Sequence, residues 1–448
     1  EMRERDWSSD VCSSDLLEGI KMKKKLLCAL LSALLLASCT TGSVNGGADE
    51  NKNNTVNSTT EVNSLGRENI LKVSAAEPEK VAVDEKFVDI LADFSEKLYV
   101  KASETNSGNL IFSPLSVMYA LSLCANGAGG ETLDEFESVL GADDISAMNN
   151  YLYTLTQNLE DTKDSTVKCA NSIWGNEDSF EISPEFSDIA NRYYAAEAKS
   201  KSFSDSKTVK EINKWVSDKT DGMIKNALDE LDPSAVMVLL NTVLFDGVWE
   251  NEYEEYDISD GFFTNYDGTR SDAEYMYSTE YGYFSLGNGQ GFSKAYKDGY
   301  SFVAVLPDGD IRDFVKNIDV NAVLDAAKEG SGKVEVSIPK FEYESTIGLT
   351  DILKSLGLEK AFTNSAELGG LQASGADNIM ISSVLQKAKV ITNEHGTKAA
   401  AVTEMVLETT ALMPDDTPVI YLDRPFFYMI TNTDGAVLFM GTVENLSK

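Results

Sequence analysis

Helical and strand-like apolar patterns occupy different stretches of this chain and hardly interleave, which is what most restricts its fold. Over Glu85 to Ser103, Phe87, Ile90, Leu91, Phe94 and Leu98 recur at helical spacing with charges between them. The same period returns over Ser116 to Ala125, over Val209 to Leu228 through Ile212, Trp215, Val216 and Ile224, and over Thr350 to Leu356. Strand patterns dominate later: the apolar run Val236 to Phe245, Tyr300 to Leu306 ahead of Pro307-Asp308-Gly309, the alternating Lys333 to Ile338, and Val437 to Met440. A doubly wound parallel sheet needs a helix after almost every strand, so this order predicts an α+β fold instead. We find no internal repeat.

With 448 residues and 42% apolar content, the chain can bury one large core or two ordinary ones. A formal net charge of -35 disfavours electrostatic attraction to nucleic acid or to anionic headgroups, leaving proteins as the expected partners. Met22 is followed by three lysines and an apolar run from Leu26 to Ala37 that closes on Leu36-Ala37-Ser38-Cys39. That run is short of the ~20 residues a spanning helix needs, and small residues before a cysteine read as a cleaved signal with a lipobox. The expectation is export across the cytoplasmic membrane with a diacylglycerol anchor on Cys39, leaving the protein lipid-anchored in an extracytoplasmic, cell-surface or extracellular setting. Residues 1–21 are read as an upstream artefact, 22–39 as the signal, 40–80 as a polar flexible tether without aromatics, and 81–448 as the folded domain.

A single histidine, His395, stands between Glu394 and Gly396, and its polar setting predicts an exposed side chain. Hydrolases and metal sites built on imidazole are thereby largely excluded, and no cofactor or metal site is expected. Gly287-Asn288-Gly289-Gln290-Gly291 neither follows a clear buried strand nor opens a helix, so it is read as a loop and not a phosphate cradle. Gly127-Ala128-Gly129-Gly130 reads as a helix stop. Among 73 acidic residues no spacing singles out a catalytic carboxylate pair, though a paired-acid hydrolase is not removed by that count. Cys124 and Cys169 sit in apolar contexts that favour separate buried thiols over a bridge.

The informative stretch is Glu394 to Met413. After the pivot Gly396, one set of alternate residues is Thr397, Ala399, Ala401, Thr403, Met405 and Leu407, small and then apolar. The other set, Lys398, Ala400, Val402, Glu404, Val406 and Glu408, holds every charge. This is a strand with one face fit for burial, running into the turn Pro414 to Pro418. By itself it is equally an ordinary edge strand.

In company with other motifs the chain resembles the serpin family over roughly Val83 to Asn445. Asn109 to Ser116, with Ser113-Pro114-Leu115-Ser116, looks like that family's second-helix opening. Leu240 to Glu250 looks like its central strand, with Asn241 and Trp249. Ile338-Pro339-Lys340-Phe341, Asn393 to Thr397 with its alanines, and Asp423 to Phe427 through Leu438 to Gly441 follow in order.

The resemblance implies helices packed around a large central mixed sheet, further sheets, and an exposed reactive loop. It also implies a non-enzymatic function: a monomeric inhibitor that forms a covalent 1:1 complex with a serine, or also a cysteine, endopeptidase. The loop is cut and then inserts from the hinge (Glu394, Gly396, Thr397, Ala399, Ala400, Ala401) as a new strand of the central sheet. Counting from Gly396 places the cut at Thr410-Ala411, with Leu412 and Met413 as alternates. Ser113, Ser116, Asn241 and Trp249 are implied to lie where the sheet opens. Gln386 takes a place that is histidine in many members, so this gate should lack a histidine-dependent pH response. A non-inhibitory serpin acting as a binding or chaperone-like protein is the alternative.

Overall fold

The computed structural model describes residues 64–160, 162–397 and 417–446. The signal with Cys39, residues 40–63 of the expected tether, Ala399 to Ala401 and Thr410 to Met413 lie outside them.

Along the chain run helices α1 (Leu65–Ser74) and α2 (Glu85–Thr105), strand β1 (Leu110–Phe112), helices α3 (Pro114–Ala125), α4 (Gly130–Leu140) and α5 (Ile145–Glu160), and strand β2 (Thr166–Asn176). Helix α6 (Pro184–Tyr194), β3 (Glu197–Lys201), α7 (Ser206–Lys219) and β4 (Met237–Val248) follow. Next come β5 (Ile258–Thr264), β6 (Arg270–Glu280), β7 (Gly282–Leu286), β8 (Gly289–Ala295) and β9 (Ser301–Pro307), then α8 (Ile311–Lys316) and α9 (Val320–Glu329). The chain continues with β10 (Val334–Pro339), β11 (Phe341–Gly348), α10 (Thr350–Ser355), β12 (Ser383–Asn393), β13 (Gly396–Thr397), β14 (Val419–Tyr421), β15 (Phe426–Thr431) and β16 (Val437–Val443).

Three sheets result: a central one ordered β11-β12-β13-β4-β2-β3, a second ordered β1-β16-β15-β9-β8-β7, and a four-stranded one ordered β14-β10-β6-β5. The expected α+β class, with helices around a large mixed sheet, is what the chain adopts.

Strand β4 explains how the sheets and helices share a core. Its Met237, Leu239, Val243 and Phe245 enter the main core. Val238 and Leu240 point the other way, into a smaller cluster with Trp174, Ile212, Trp215 and Val216 under α7. Burial on both faces is why this segment reads as an apolar run interrupted up to Phe245 only by Asn241 and Thr242. Strand β12 instead alternates: Val384, Gln386, Ala388, Val390 and Thr392 are buried. Between them, Lys387 and Lys389 reach Glu344 and Glu342 on β11, at 3.2 and 2.6 Å.

Three expectations are corrected here. Helix α7 stops at Lys219 and not Leu228, because Asp221 and Gly222 take left-handed conformations, φ 50° and 77°. Gly289-Gln290-Gly291 belong to β8, so only Gly287 and Asn288 link the β7–β8 hairpin. The expected tether of 40–80 contains α1, which packs on the body. Ser64 caps it by accepting from the Arg67 N–H at 3.0 Å. Ile70 and Val73 are buried, Arg67 grips Glu185 with two bonds of 3.0 and 3.1 Å, and Asn69 Nδ2 reaches carbonyls at the end of α3. Composition hid the helix because a surface element needs few apolar residues when its polar ones find partners. Gly66 lies so close to the Gly127 carbonyl that a Cβ there would collide with it, which gives the glycine run after α3 a second purpose.

Candidate functional site

Strands β12 and β4 run parallel and pair directly over Ser383 to Ala388 and Val238 to Val243. Beyond that contact the chain leaves β12, turns at Glu394-His395, and returns as β13 between the same two strands, antiparallel to both. Gly396 lies opposite Asn393 and Val248, and Thr397 opposite Thr392 and Gly247. The two strands are thus closed along one stretch and held apart at the other by a two-residue wedge. Gly396 has φ 151°, and a Cβ there would run into the Gly247 carbonyl, so the pivot position admits no side chain.

Where the strands are closed, a buried polar cluster joins them to the start of α3. Gln386 accepts from the Ser113 N–H at 2.9 Å and donates to the Ser113 carbonyl at 2.8 Å and to Asn241 Oδ1 at 2.9 Å. Asn241 donates to the Ser116 carbonyl at 2.8 Å and to Asn171 Oδ1 of β2 at 2.6 Å, with the Ser116 hydroxyl beside it. The Ser113 side chain makes no capping bond to α3; Gln386 meets its main chain instead. All five side chains are buried, where unpaired amides would be costly, and the Gln386–Asn241 bond, the one that crosses the seam, favours the closed arrangement.

Where the wedge sits, aromatic rings form a floor. Trp249 stacks on Tyr296 with centroids 4.1 Å apart and planes 8° apart, and donates from Nε1 to the Asn393 carbonyl at 2.9 Å. The Tyr296 hydroxyl shares a 2.7 Å bond with Thr397 Oγ1, and burial pushes its pKa above the ordinary tyrosine value. Buried Lys294, paired with Glu280 at 2.8 Å, lies 5.2 Å from the Trp249 ring and 4.4 Å from that of Tyr253. The turn itself is pinned: Trp249 N–H donates to the His395 carbonyl and Tyr253 N–H to that of Glu394. Partial burial of Glu394 works to raise its carboxyl pKa, but the Lys340 ammonium at 2.8 Å outweighs it and the net shift is downward. His395, expected to be exposed, is about a quarter exposed and meets Glu252 at 3.0 Å through Nδ1. A charged neighbour fixed by the fold, invisible in the sequence, holds it down.

Ser113, Ser116, Asn241 and Gln386 therefore converge in one cluster. Trp249, Glu394, Gly396 and Thr397 converge in another, eight residues further along β4, roughly 26 Å at strand spacing. The alanines and the candidate scissile residues fall outside the described part. Sequence reading missed Asn171, Tyr296, Lys294 and Glu252. An amide set between Cys169-Ala170 and Ile173-Trp174 is the local signal for Asn171; nothing local signals the others. Cys124 and Cys169 are unpaired thiols. Among the described residues no three His, Cys, Asp or Glu side chains are grouped to hold a metal ion.

A family model described as Serpin (serine protease inhibitor) matches residues 89–446. The chain is 31% identical to neuroserpin of Gallus gallus over 381 residues, covering 79% of this chain and 90% of that protein. It is likewise 31% identical to leukocyte elastase inhibitor A of Rattus norvegicus, covering 78% and 97%. Among solved structures it resembles the thermophilic serpin tengpin in its native state, with 39% identity, a TM-score of 0.78, and coverage of 84% of this chain and 98% of that one.

The closed cluster contains no titratable side chain, and replacing Gln386 by histidine tests what that means. An imidazolium there would have no counter-charge, so desolvation lowers its folded pKa below the unfolded value of about 6.5. A lowered pKa on a base means that the unfolded state binds more protons as pH falls, so the native state loses stability with acidification. Gln386→His should therefore lose roughly 1–2 kcal/mol relative to the parent between pH 7.5 and 5. Parallel denaturation midpoints for the two proteins across that range would contradict it.

Proposed function

The chain belongs to the serpin family, and we propose that it inhibits endopeptidases by offering the segment 398–416 as substrate and then inserting it between β12 and β4. The observation that carries this reading is the seated wedge. Gly396 and Thr397 already hydrogen-bond to both strands in antiparallel register, so insertion is the extension of a ladder whose first rungs exist.

Continued in that register, Ala399 would meet Val390 and Phe245, Ala401 would meet Ala388 and Val243, and Thr403 would fall between Gln386 and Asn241. All six partners are buried, so in that register Thr397, Ala399, Ala401 and Thr403 would face the core. Small residues fit that side, and the hydroxyl of Thr403 would meet the two amides whose mutual bond has to break. A new strand with neighbours on both sides closes more ladder bonds than the direct β12–β4 contact gives up, each worth about 0.5–1.5 kcal/mol. The protease, acylated by the Thr410 carbonyl as the Ala411 amine departs, would be carried along in a covalent 1:1 complex.

Recognition in the loop is read from charge. No Lys or Arg occurs between Lys398 and Arg424, so a pocket with a buried carboxylate finds nothing to pair with. Thr410 and Ala411 suit small pockets, which favours elastase-like or subtilisin-like targets over trypsin-like ones. The rat relative's name, an elastase inhibitor, agrees with that choice. We place the protein outside the cytoplasmic membrane, lipid-anchored through Cys39, on the strength of the lipobox alone.

Three outcomes test this function. Mixing with elastase, subtilisin, chymotrypsin, trypsin and papain should give an SDS-stable adduct with at least one of the first two and none with trypsin, and a released C-terminal fragment whose mass begins at Ala411. A fragment beginning at Leu412, Met413 or Pro414 moves the bond, and simple cleavage without adduct leaves a non-inhibitory serpin. Ala401→Arg should keep loop cleavage and abolish the adduct, because a guanidinium on the buried face has no partner. Ala400→Arg on the opposite face should be milder, and equal effects would contradict the register. Cys39→Ser should shift the protein from membrane to soluble fractions without changing its thermal midpoint; a mature N-terminus elsewhere would sink the anchor.

A further inference from the structure

Lys294 of β8 is 2% exposed, and an ammonium is rarely taken so far out of water unless fixed groups receive it. Its Nζ donates to Glu280 Oε1, at the end of β6, at 2.8 Å and to the Asn251 carbonyl at 3.3 Å. The two rings that face it, Trp249 and Tyr253, stand two residues before and two after Asn251. One cation therefore meets three alternate residues of the segment that follows β4. Glu280 carries the hold further, accepting from Ser278 Oγ at 2.6 Å, and that hydroxyl shares a 3.2 Å bond with the hydroxyl of Tyr253.

The same segment seats the hinge turn. Trp249 gives its main-chain N–H to the His395 carbonyl and its indole N–H to that of Asn393, and Tyr253 gives its N–H to that of Glu394. Its own ladder is short: β4 ends at Val248, Trp249 meets Tyr296 in a single antiparallel bridge, and the Glu250 N–H reaches the Ala295 carbonyl.

We propose that Lys294 is a positioning residue for loop insertion, acting through Trp249 and Tyr253 to hold the turn from which the new strand grows. The inference rests on the reading that segment 398–416 inserts between β12 and β4, and it adds the group that keeps the first rung in place. Neither Lys294 nor Glu280 lies in any motif that carries the family resemblance, so the resemblance does not supply this role. A buried ion pair gives no more stability than apolar side chains of equal volume. What it adds is direction, because the ammonium is aimed at one carboxylate and one carbonyl while its charge draws two ring faces. With those rings fixed, the carbonyls of Asn393, Glu394 and His395 are fixed, and Gly396 and Thr397 enter the gap in register. After the cut, the acyl-enzyme is either carried off by the growing strand or hydrolysed. A loosened turn delays the first outcome and favours the second.

The test uses the full chain and whichever of elastase, subtilisin, chymotrypsin and papain consumes its loop fastest. Lys294→Met and Lys294→Met/Glu280→Met are compared with the parent. The single variant strands a buried carboxylate and should lower the thermal midpoint, whereas the double variant removes both charges and should keep or raise it. For the double variant we expect the ratio of adduct to cleaved product to fall about fivefold, the weight of one hydrogen bond, with the total rate of loop consumption unchanged. Amide exchange across 249–253 in the uncleaved chain should quicken by a similar factor. An unchanged ratio in the double variant overturns the proposal, as does a ratio that falls only together with the thermal midpoint, which is what a merely structural pair would do. A fallen ratio without faster exchange places the effect elsewhere and overturns it equally. Absence of adduct from the parent overturns inhibition instead, and the exchange rates then decide alone whether Lys294 holds the turn.

Discussion

The lateral contact between β12 and β4 is the interaction on which the rest depends. Two parallel neighbours in the middle of a sheet would ordinarily be permanent. Here they are closed only over six residue pairs, and Gly396 and Thr397 already occupy the space between them at one end. Everything around the seam serves to hold that partial state: the Gln386–Asn241 bond where it is closed, the Trp249–Tyr296 stack where it is open, and the Glu394–Lys340 pair on the turn between. None of these alone exceeds a few kcal/mol, so the closed seam is held by modest terms against a larger ladder that a further strand would complete.

How legible this was depended on whether a residue's role lay in its own neighbourhood. The apolar run of β4 is a local fact, and that strand was read from it; the alternation of β12 is equally local but was passed over. Ser113, Ser116, Asn241 and Gln386 were readable, because each sits inside a motif. Their convergence was legible only through resemblance, since no spacing along the chain reports that Gln386 meets Ser113 across 273 positions. His395 was misjudged for the same reason: its neighbours in sequence are polar, but its neighbour in space is Glu252. The break after Lys219 was hidden differently, because apolar residues such as Ile224 continue the helical period after the backbone has left it.

Helix α1 shows the limit of family boundaries as descriptions of a folded unit. The match begins at residue 89, yet Gly66, Arg67, Asn69 and Ile70 are fitted against α3, α6 and the segment around Gly369. Asn69 donates to the carbonyls of Ala125, Asn126 and Ala128, at the end of α3 and in the turn that follows it. A fragment cut at the match would lose those bonds, and the first turn of α2 with its Asp84 cap.

The bonds at the start of α3 also have a mechanical meaning. Gln386 ties β12 to the main chain of Ser113, and Asn241 ties β4 to that of Ser116, so both leaves of the seam hang from the same helical turn. No rigid rotation about α3 can part them while both ties persist. One leaf must slide off its post, and the number of bonds says which is better moored: two for Gln386 at Ser113, against one to the Ser116 carbonyl for Asn241, whose second amide hydrogen goes to Asn171 of β2. Strands β4 and β2 therefore travel as a pair if they travel at all, like two planks of one shutter, and the friction of opening resides where that pair crosses the helix.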